Sequence, residues 1–196
     1  VGDDAAVRRC AEEERCVLTA DMCVEDIHFS FRYMGMAEVG YKCMVVNLSD
    51  CAAMGARPDG AVVQVVFPSD VKGVSAKVRR LYQGMHEACR KWRFPIVGGD
   101  LSGGPCWIVA VTLLGRMGEA ARPLRRKGAR HGDLLWMTGR PGESAAGMAA
   151  LQRWGRKGAP SRYAPLITHH VRPVPRLAAG EALAAHPEIH AAMDLS

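Results

Sequence analysis

A long amphipathic segment between two apolar runs limits most strongly what this chain can fold into. Apolar residues recur at helical spacing over residues 74–92, which predicts a helix with one buried face. The flanking runs at 61–67 and 94–97 are predicted as strands, and further strands are predicted at 16–20 and 107–114. A helix with one apolar face needs a sheet or another helix to cover it. The chain is therefore expected to be an α+β protein in which helices cover mixed sheets.

A second helix is predicted over residues 36–55, with Gly55 as its C-cap. Asp50 lies on a mostly apolar side of this helix, and Asn47 shares or borders that side. A carboxylate on the buried side of a helix costs free energy unless it is paired or bound to a metal ion. Asp50 is therefore the first candidate functional residue. The residues at helical spacing are Val39, Cys43, Val46, Asp50 and Met54.

Aspartates recur where predicted strands meet turns. Asp4 lies in a Gly-Asp-Asp sequence, and Asp21 follows the first predicted strand. Asp100 follows two glycines in a predicted turn at 98–100, and Asp194 lies at the end of the last predicted strand. Carboxylates from separate elements suit Mg²⁺, which takes hard oxygen ligands and keeps several waters. Each Asp alone is most simply a turn residue, but their recurrence favours a magnesium site.

A basic, glycine-containing connector predicts a domain boundary near residue 120. The two predicted domains are 1–120 and 121–196. The glycine-rich sequence at 139–147 is interpreted in two ways: it cradles an anion at a helix N-terminus, or it packs closely against a neighbour with Ser144 as N-cap. Beyond the boundary, the predicted elements are strands at 134–138 and 190–195, helices at 144–154 and 176–185, and a polar loop at 155–165.

Charge is distributed unevenly along the chain. The formal net charge is +6, but residues 1–50 carry ten acids and five bases, whereas residues 51–196 carry ten acids and 21 bases. An acidic end beside a basic remainder suits a protein that binds metal ions and phosphates. A nucleic-acid-binding module is the alternative from another class, but Trp92 is the one aromatic residue within the basic clusters. Those clusters are residues 79–80, 90–93 and 122–130.

Several classes of protein are excluded by what the sequence lacks. No apolar run approaches the roughly 20 residues of a membrane span, and the N-terminus has no signal pattern. A cytoplasmic protein without a membrane partner is therefore expected. The seven cysteines contain no C-x-x-C pair, so most are predicted to be buried small apolar side chains in a reducing compartment. The familiar phosphate-binding loops, including G-x-x-x-x-G-K-[ST] and G-x-G-x-x-G, are absent.

Seven segments in a fixed order point to a known family. They are G-D-D-A-A-V (2–7), T-A-D-M-C-V-E-D-I-H-F (19–29), Y-K-C-M-V-V-N-L-S-D-C-A-A-M-G-A-R-P (41–58), G-G-D (98–100), R-K-G-A-R-H-G-D (126–133), T-G-R-P-G-E-S-A-A-G (138–147) and A-M-D-L-S (192–196). With them the chain resembles the thiamine-monophosphate kinase family, within the aminoimidazole-ribonucleotide-synthetase-like superfamily of ATP-using proteins. The N-L-S-D-x-A-A-M-G-A block after H-F favours this family over its selenophosphate-synthetase and hydrogenase-maturation relatives.

The resemblance implies roles for individual residues. Residues that match Mg²⁺-binding positions are Asp4, Thr19, Asp21, Asp50, Asp100 and Asp194, and several Mg²⁺ ions are expected. Residues that match ATP-contacting positions are Gly99, Asp100, Arg126 and Ser196. His28 matches a substrate-contacting histidine.

The resemblance also implies an activity and an assembly. The expected reaction is direct in-line transfer of the γ-phosphoryl group of ATP onto thiamine monophosphate, which gives thiamine diphosphate. It implies a homodimer formed through the N-terminal domain. It further implies a chain cut inside motifs at both ends, with an incomplete second domain whose residues 133–196 expose apolar surface. Another acceptor within the same superfamily is the second enzyme hypothesis, and no nucleic-acid partner is expected.

Overall fold

A mixed sheet forms the centre of the protein in the computed structural model, which describes residues 6–9, 15–119 and 121–195. Its strands are β1 (Ala6–Arg9), β2 (Arg15–Val24), β3 (Arg57–Pro68), β4 (Ile96–Gly104) and β5 (Ile108–Met117). They are hydrogen-bonded in the order β1-β2-β5-β3-β4. Only β3 and β4 run parallel within this sheet, because a helix connects them, and the other neighbours are antiparallel.

Two long helices, α1 (Met36–Met54) and α2 (Val74–Trp92), pack on each other and cover one face of the sheet. Their backbones approach closely at two glycines. A Cβ atom on Gly40 would overlap the Leu81 carbonyl, and one on Gly84 would overlap the Ala37 carbonyl oxygen. Met44, Leu48 and Leu81 are fully buried in this layer together with the β3 and β5 side chains that face it.

The chain beyond residue 120 adds three helices, two of which contact α1. They are α3 (Glu143–Gly158), which is kinked at Gly155, α4 (Ala164–Val171) and α5 (Leu177–Ala184). Helix α3 packs on α4, and α5 packs on α1. A smaller apolar cluster, which includes Val17, Met54 and Leu124, joins this part of the chain to the sheet. No helix among the described residues has both the length and the apolar character to cross a membrane.

The expected α+β architecture with a helix-covered mixed sheet is confirmed. The helices predicted at 36–55 and 74–92 form at those positions, and Gly55 caps the first with a φ of 75°. The four predicted strands form but are longer, because hydrogen bonding to neighbours carries each strand past its apolar run. Five of the six described cysteines are buried.

The helices predicted at 144–154 and 176–185 form as α3 and α5, but several other predictions after residue 120 are wrong. Residues 134–138 and 190–195 are irregular rather than strands, and none of the five strands of the sheet lies beside them. An apolar run with β character forms a strand only when a neighbouring strand takes its backbone hydrogen bonds. Gly142, and not Ser144, is the N-cap of α3, and the predicted polar loop at 155–165 contains the end of α3 and the start of α4.

Candidate functional site

A row of side chains on β2 faces helix α1. Side chains alternate between the two faces of a strand, so Thr19, Asp21 and Cys23 point towards the helix, whereas Leu18 and Met22 point to the open face of the sheet. Thr19 is only 2% exposed and Cys23 only 6%. A buried threonine that is followed on the same face by an aspartate and a cysteine indicates a polar layer between β2 and α1.

Helix α1 presents a matching row to β2. Cys43, Asn47 and Asp50 lie on one side of the helix because they are spaced four and three residues apart. The Thr19 hydroxyl lies 2.9 Å from Asn47 Oδ1 and 2.8 Å from Asp50 Oδ2. The buried Cys43 lies one helical turn before Asn47 on α1, and the buried Cys23 lies two residues after Asp21 on β2.

The side-chain oxygens of Thr19, Asn47 and Asp50 form an oxygen cluster between β2 and α1. The Thr19 hydroxyl carries one hydrogen, yet both oxygens lie within hydrogen-bond distance. The Asn47 amide group donates to the Cys43 carbonyl at 3.3 Å, which orients the amide with its oxygen towards Thr19. Hard oxygens grouped in this way suit a cation such as Mg²⁺, which needs one or two carboxylates from the protein and takes its other ligands from water or phosphate.

Asp21 lies next to this cluster and close to His28. Partial burial raises the pKa of the Asp21 carboxyl, and His28 lowers that pKa in part. The exposed His28 follows β2 in a short turn, where its Nδ1 accepts a hydrogen bond from the Val24 N–H at 3.1 Å. Its carbonyl accepts one from Lys42 Nζ at 3.2 Å. The structure therefore brings Thr19, Asp21, Asp50 and the His28 turn to one region.

Lys42 connects this region to the helices beyond residue 120, and the sequence prediction missed this link. Its Nζ lies 3.5 Å from Nε2 of the buried His170, whose Nδ1 lies 3.2 Å from Ser144 Oγ. Burial, helped by the charge of Lys42, lowers the pKa of His170 to about 4, and burial also lowers the pKa of Lys42. Neutral His170 accepts from the Lys42 ammonium at Nε2 and so carries its hydrogen on Nδ1, which donates to Ser144. The adjacent His169 and His170 on α4 are the one sequence signal that could have indicated the contact between Lys42 and this part of the chain.

Asp100 and Gly99 lie elsewhere, and the prediction that they form a turn is wrong. Both belong to strand β4, because β4 pairs with β3 along its whole length, and a Cβ on Gly99 would overlap the Val63 carbonyl. Strands β5 and β3 lie between β2 and β4, so the distance between β2 and β4 is about 14 Å. Asp100 pairs with Gln64 and so faces the open side of the sheet, where Ser102 Oγ donates to it at 3.2 Å. Within one chain, Asp100 is not brought together with Asp21.

Arg126 and Asp194 belong to two segments that pack against each other. The short 3-10 turn Arg126–Gly128 approaches the His190 backbone so closely that a Cβ on Gly128 would overlap it. His190 Nδ1 also lies 2.7 Å from Asp133 Oδ1. The prediction that Asp194 lies at a strand end is wrong. Asp194 lies in an irregular segment, because residues 190–195 have no partner strand in the described sheet.

The same segments approach the oxygen cluster. Ala192 packs on the apolar cluster that contains Val17 and Met54, residues that lie close in sequence to Thr19 and Asp50. The other predicted site residues, Asp4 and Ser196, lie outside the described residues. Among the residues that the structure does describe, no three His, Cys, Asp or Glu side chains are grouped closely enough to hold a metal ion by themselves.

The glycine-rich sequence at 139–147 packs closely against its neighbour. A Cβ on Gly147 would overlap the Leu166 carbonyl of α4. This contact accounts for the small residue at the start of α3. It supports the packing interpretation of this sequence and leaves anion binding there untested.

Known proteins share this sequence and fold. The chain is 37% identical over 174 residues to the thiamine-monophosphate kinase of Corynebacterium glutamicum, which covers 88% of this chain and 52% of that enzyme. The chain spans about half the length of the curated relatives it matches. A solved structure described as "AaThiL complexed with AMPPCP and TMP" aligns with 100% of this chain and 60% of its own, with a TM-score of 0.90 and 31% identity.

A more distant likeness shows the fold alone. The hydrogenase maturation protein HypE in complex with ATP aligns with 85% of this chain at a TM-score of 0.57 and 16% identity. The resemblance to thiamine-monophosphate kinases and the expected superfamily fold are thus confirmed. Residues 2–117 match the family model described as "AIR synthase related protein, N-terminal domain", and we conclude that the chain belongs to the AIR synthase-related family.

Proposed function

We propose that the protein transfers the γ-phosphoryl group of ATP to thiamine monophosphate in a Mg²⁺-dependent reaction that gives thiamine diphosphate. The observation that carries the proposal is the oxygen cluster of Thr19, Asn47 and Asp50, in which the Thr19 hydroxyl of β2 lies 2.9 and 2.8 Å from the two oxygens of α1. The curated relatives are named thiamine-monophosphate kinases, and the similar solved structure is described with AMPPCP and TMP bound. AMPPCP is an ATP analogue in which a methylene group replaces the oxygen that bridges the β- and γ-phosphates.

The proposed ligands divide into three groups. Thr19, Asp21 and Asp50 would hold metal on the helix side of β2, and Asp4, Asp100 and Asp194 would complete the metal sites. Gly99, Asp100, Arg126 and Ser196 would contact the nucleotide, and His28 would contact the substrate. Bound Mg²⁺ would offset the negative charge of the phosphates.

The residues of the site support direct in-line transfer. The acceptor is a phosphate oxygen that is already ionised at neutral pH, so no side chain needs to remove a proton. The work left to the protein is to hold two polyanions in line and to reduce their repulsion. Arg126, exposed on its short turn, would steady the nucleotide by a charge-assisted hydrogen bond.

The open face of the sheet supports the proposed homodimer. Leu18 and Met22 on β2 are 49% and 56% exposed there, although helices cover the opposite face. A second copy that packs on this face would cover both side chains, and it would also meet Asp100, which lies on the same face. We further propose a domain boundary near residue 120 and a cytoplasmic location.

The change Asp50→Asn tests the proposed metal site. It keeps the size of the side chain but removes the charge that faces Thr19, so Mg²⁺ affinity measured by titration calorimetry should fall by at least about tenfold. The matched control is Asp70→Asn, because Asp70 is exposed in a turn away from the cluster. Unchanged Mg²⁺ affinity in Asp50→Asn would remove Asp50 from the site.

The acceptor is tested by ADP release. Thiamine monophosphate should stimulate ADP release in the presence of ATP and Mg²⁺. Stimulation by a different small molecule would favour another activity of the superfamily. Salt-sensitive retention on a polyanion that ATP and Mg²⁺ do not relieve would instead support the nucleic-acid-binding alternative.

A further inference from the structure

The turn that carries His28 fixes which nitrogen of the His28 ring holds the hydrogen. The Val24 carbonyl accepts hydrogen bonds from the Ile27 N–H at 3.2 Å and from the His28 N–H at 2.9 Å. The Val24 N–H donates to His28 Nδ1 at 3.1 Å, which requires a lone pair on Nδ1. The exposed ring therefore carries its hydrogen on Nε2, where it can donate to a bound substrate.

The same turn is held from outside by Lys42. Its Nζ, at the start of α1, donates to the His28 carbonyl at 3.2 Å. Within the turn, Asp26 has a φ of 60°, which is uncommon for residues other than glycine. A turn with such a residue keeps its conformation only where neighbouring groups hold it. Lys42 supplies a contact of this kind at His28 itself.

Lys42 is held in its turn by two residues from beyond residue 120. Its Nζ lies 3.5 Å from His170 Nε2, and His170 Nδ1 lies 3.2 Å from Ser144 Oγ. His170 is buried, and the helices that carry Ser144 and His170 pack closely at Gly147. A line of polar contacts therefore runs from α3 through α4 and α1 to the His28 turn.

We propose that Lys42 is a positioning residue that holds the His28 turn for thiamine monophosphate, and that His170 and Ser144 hold Lys42 in place. The ammonium has three hydrogens, so it can donate to the His28 carbonyl and to His170 at the same time. Lysine has a long, flexible side chain, and the contact with His170 keeps it beside the turn. This role rests on the proposed function, whereas the contact between Lys42 and the turn does not.

Steady-state kinetics of Lys42→Met test the positioning role. Methionine keeps most of the apolar side chain and removes the ammonium. The KM for thiamine monophosphate should rise about tenfold, because a displaced His28 loses contact with the substrate. The kcat and the KM for ATP should change by less than about threefold. Lys72→Met is the matched control, because Lys72 is exposed in the turn before α2. An unchanged KM for thiamine monophosphate, or a fall in kcat alone, would overturn the proposal.

A double-mutant cycle with His28→Ala shows whether Lys42 acts through His28. If it does, Lys42→Met should raise the KM by less than about twofold once His28 is absent, since the contact that Lys42 supports is already lost. A further tenfold rise in the double variant would mean that Lys42 acts on the substrate independently of His28. That result would contradict a positioning role.

Two substitutions of His170 test the second link. Glutamine keeps a hydrogen-bond acceptor for Lys42, whereas leucine has a similar size and no acceptor. His170→Leu should raise the KM for thiamine monophosphate about threefold, and His170→Gln should recover most of this loss. The same KM in both variants would show that His170 does not hold Lys42.

Hydrogen exchange followed by mass spectrometry tests the Lys42 contact without the reaction. In Lys42→Met, the amides of residues 24–28 should exchange at least about tenfold faster, while those of β3 should keep their rates. Equal rates in the turn would rule out the holding contact. If thiamine monophosphate stimulates no ADP release in the unsubstituted protein, the proposed function fails and the role towards this substrate fails with it. The exchange rates then decide by themselves whether Lys42 holds the turn.

Discussion

The layer that α1 and α2 form on the sheet and the chain beyond residue 120 are held in place in different ways. In the first, helix backbones touch through Gly40 and Gly84, and the apolar side chains are fully buried. In the second, Leu135 and Trp136 are 99% and 85% exposed, and Arg122 is bonded to the backbone carbonyls of the segment near His190. Close packing thus fixes the first region, whereas a few polar contacts and a small apolar cluster fix much of the second.

Substitution of Gly84 gives the largest expected effect in the closely packed region. Gly84→Ala would place a Cβ atom against the Ala37 carbonyl, and two long helices would have to separate to admit it. We expect a loss of about 3 kcal/mol or more in the free energy of unfolding, measured by urea denaturation. Gly98→Ala is the matched control, since nothing lies within 4 Å of its Cβ position. Equal losses in both variants would show that helix contact is not the cause.

His170 joins the two regions, so acidification should weaken the link between them. The free imidazole has a pKa of 6.5, and burial lowers the pKa of His170 to about 4. Between these values the unfolded chain binds a proton that the folded chain does not, so the free energy of unfolding falls as the pH decreases from about 6.5 to 4. The loss is at most about 3 kcal/mol and is absent above pH 7.

The matched variants for this pH effect are His170→Gln and His169→Gln. His170→Gln removes the titrating group and should flatten the dependence of unfolding free energy on pH between 6.5 and 4. His169 is exposed beside Glu143, so its replacement should leave most of the dependence in place. Urea denaturation at pH 7 and pH 4.5 measures the difference. If His170→Gln keeps the full dependence, another group is responsible for it.

The sequence predicted the fold well where each element has its partners among the described residues. The helical spacing of Leu81, Met85 and Ala88 on α2 needs only a sheet beneath it, and the sheet is there. Residues 134–138 show an equally clear β pattern, but none of the described strands lies beside them. A periodic apolar pattern predicts which face of a helix or strand must be buried. It does not predict whether another element lies close enough to cover that face.

The candidate site was predicted by residue type more than by position. Asp50 was identified from its place on an apolar helix face, and the structure adds Thr19 as its hydrogen-bond partner. The sequence predicts no role for Asn47, because an amide carries no charge whose burial would cost free energy. The distance of Asp100 from Asp21 follows from strand order, and its place on the opposite face follows from the register of β4 with β3. One sequence contains neither.

The smallest expected effect comes from the exposed apolar run. Leu135→Ser replaces a side chain that is almost fully in contact with solvent, so the free energy of unfolding should change by less than about 0.5 kcal/mol. Leu124→Ala, in the small cluster that anchors this region, is the reference and should cost at least about 2 kcal/mol. Urea denaturation compares the two. If Leu135→Ser costs as much as Leu124→Ala, residues 134–137 are packed in solution. The region beyond residue 120 is then held by apolar contacts as the first one is, and the contrast between the two regions disappears.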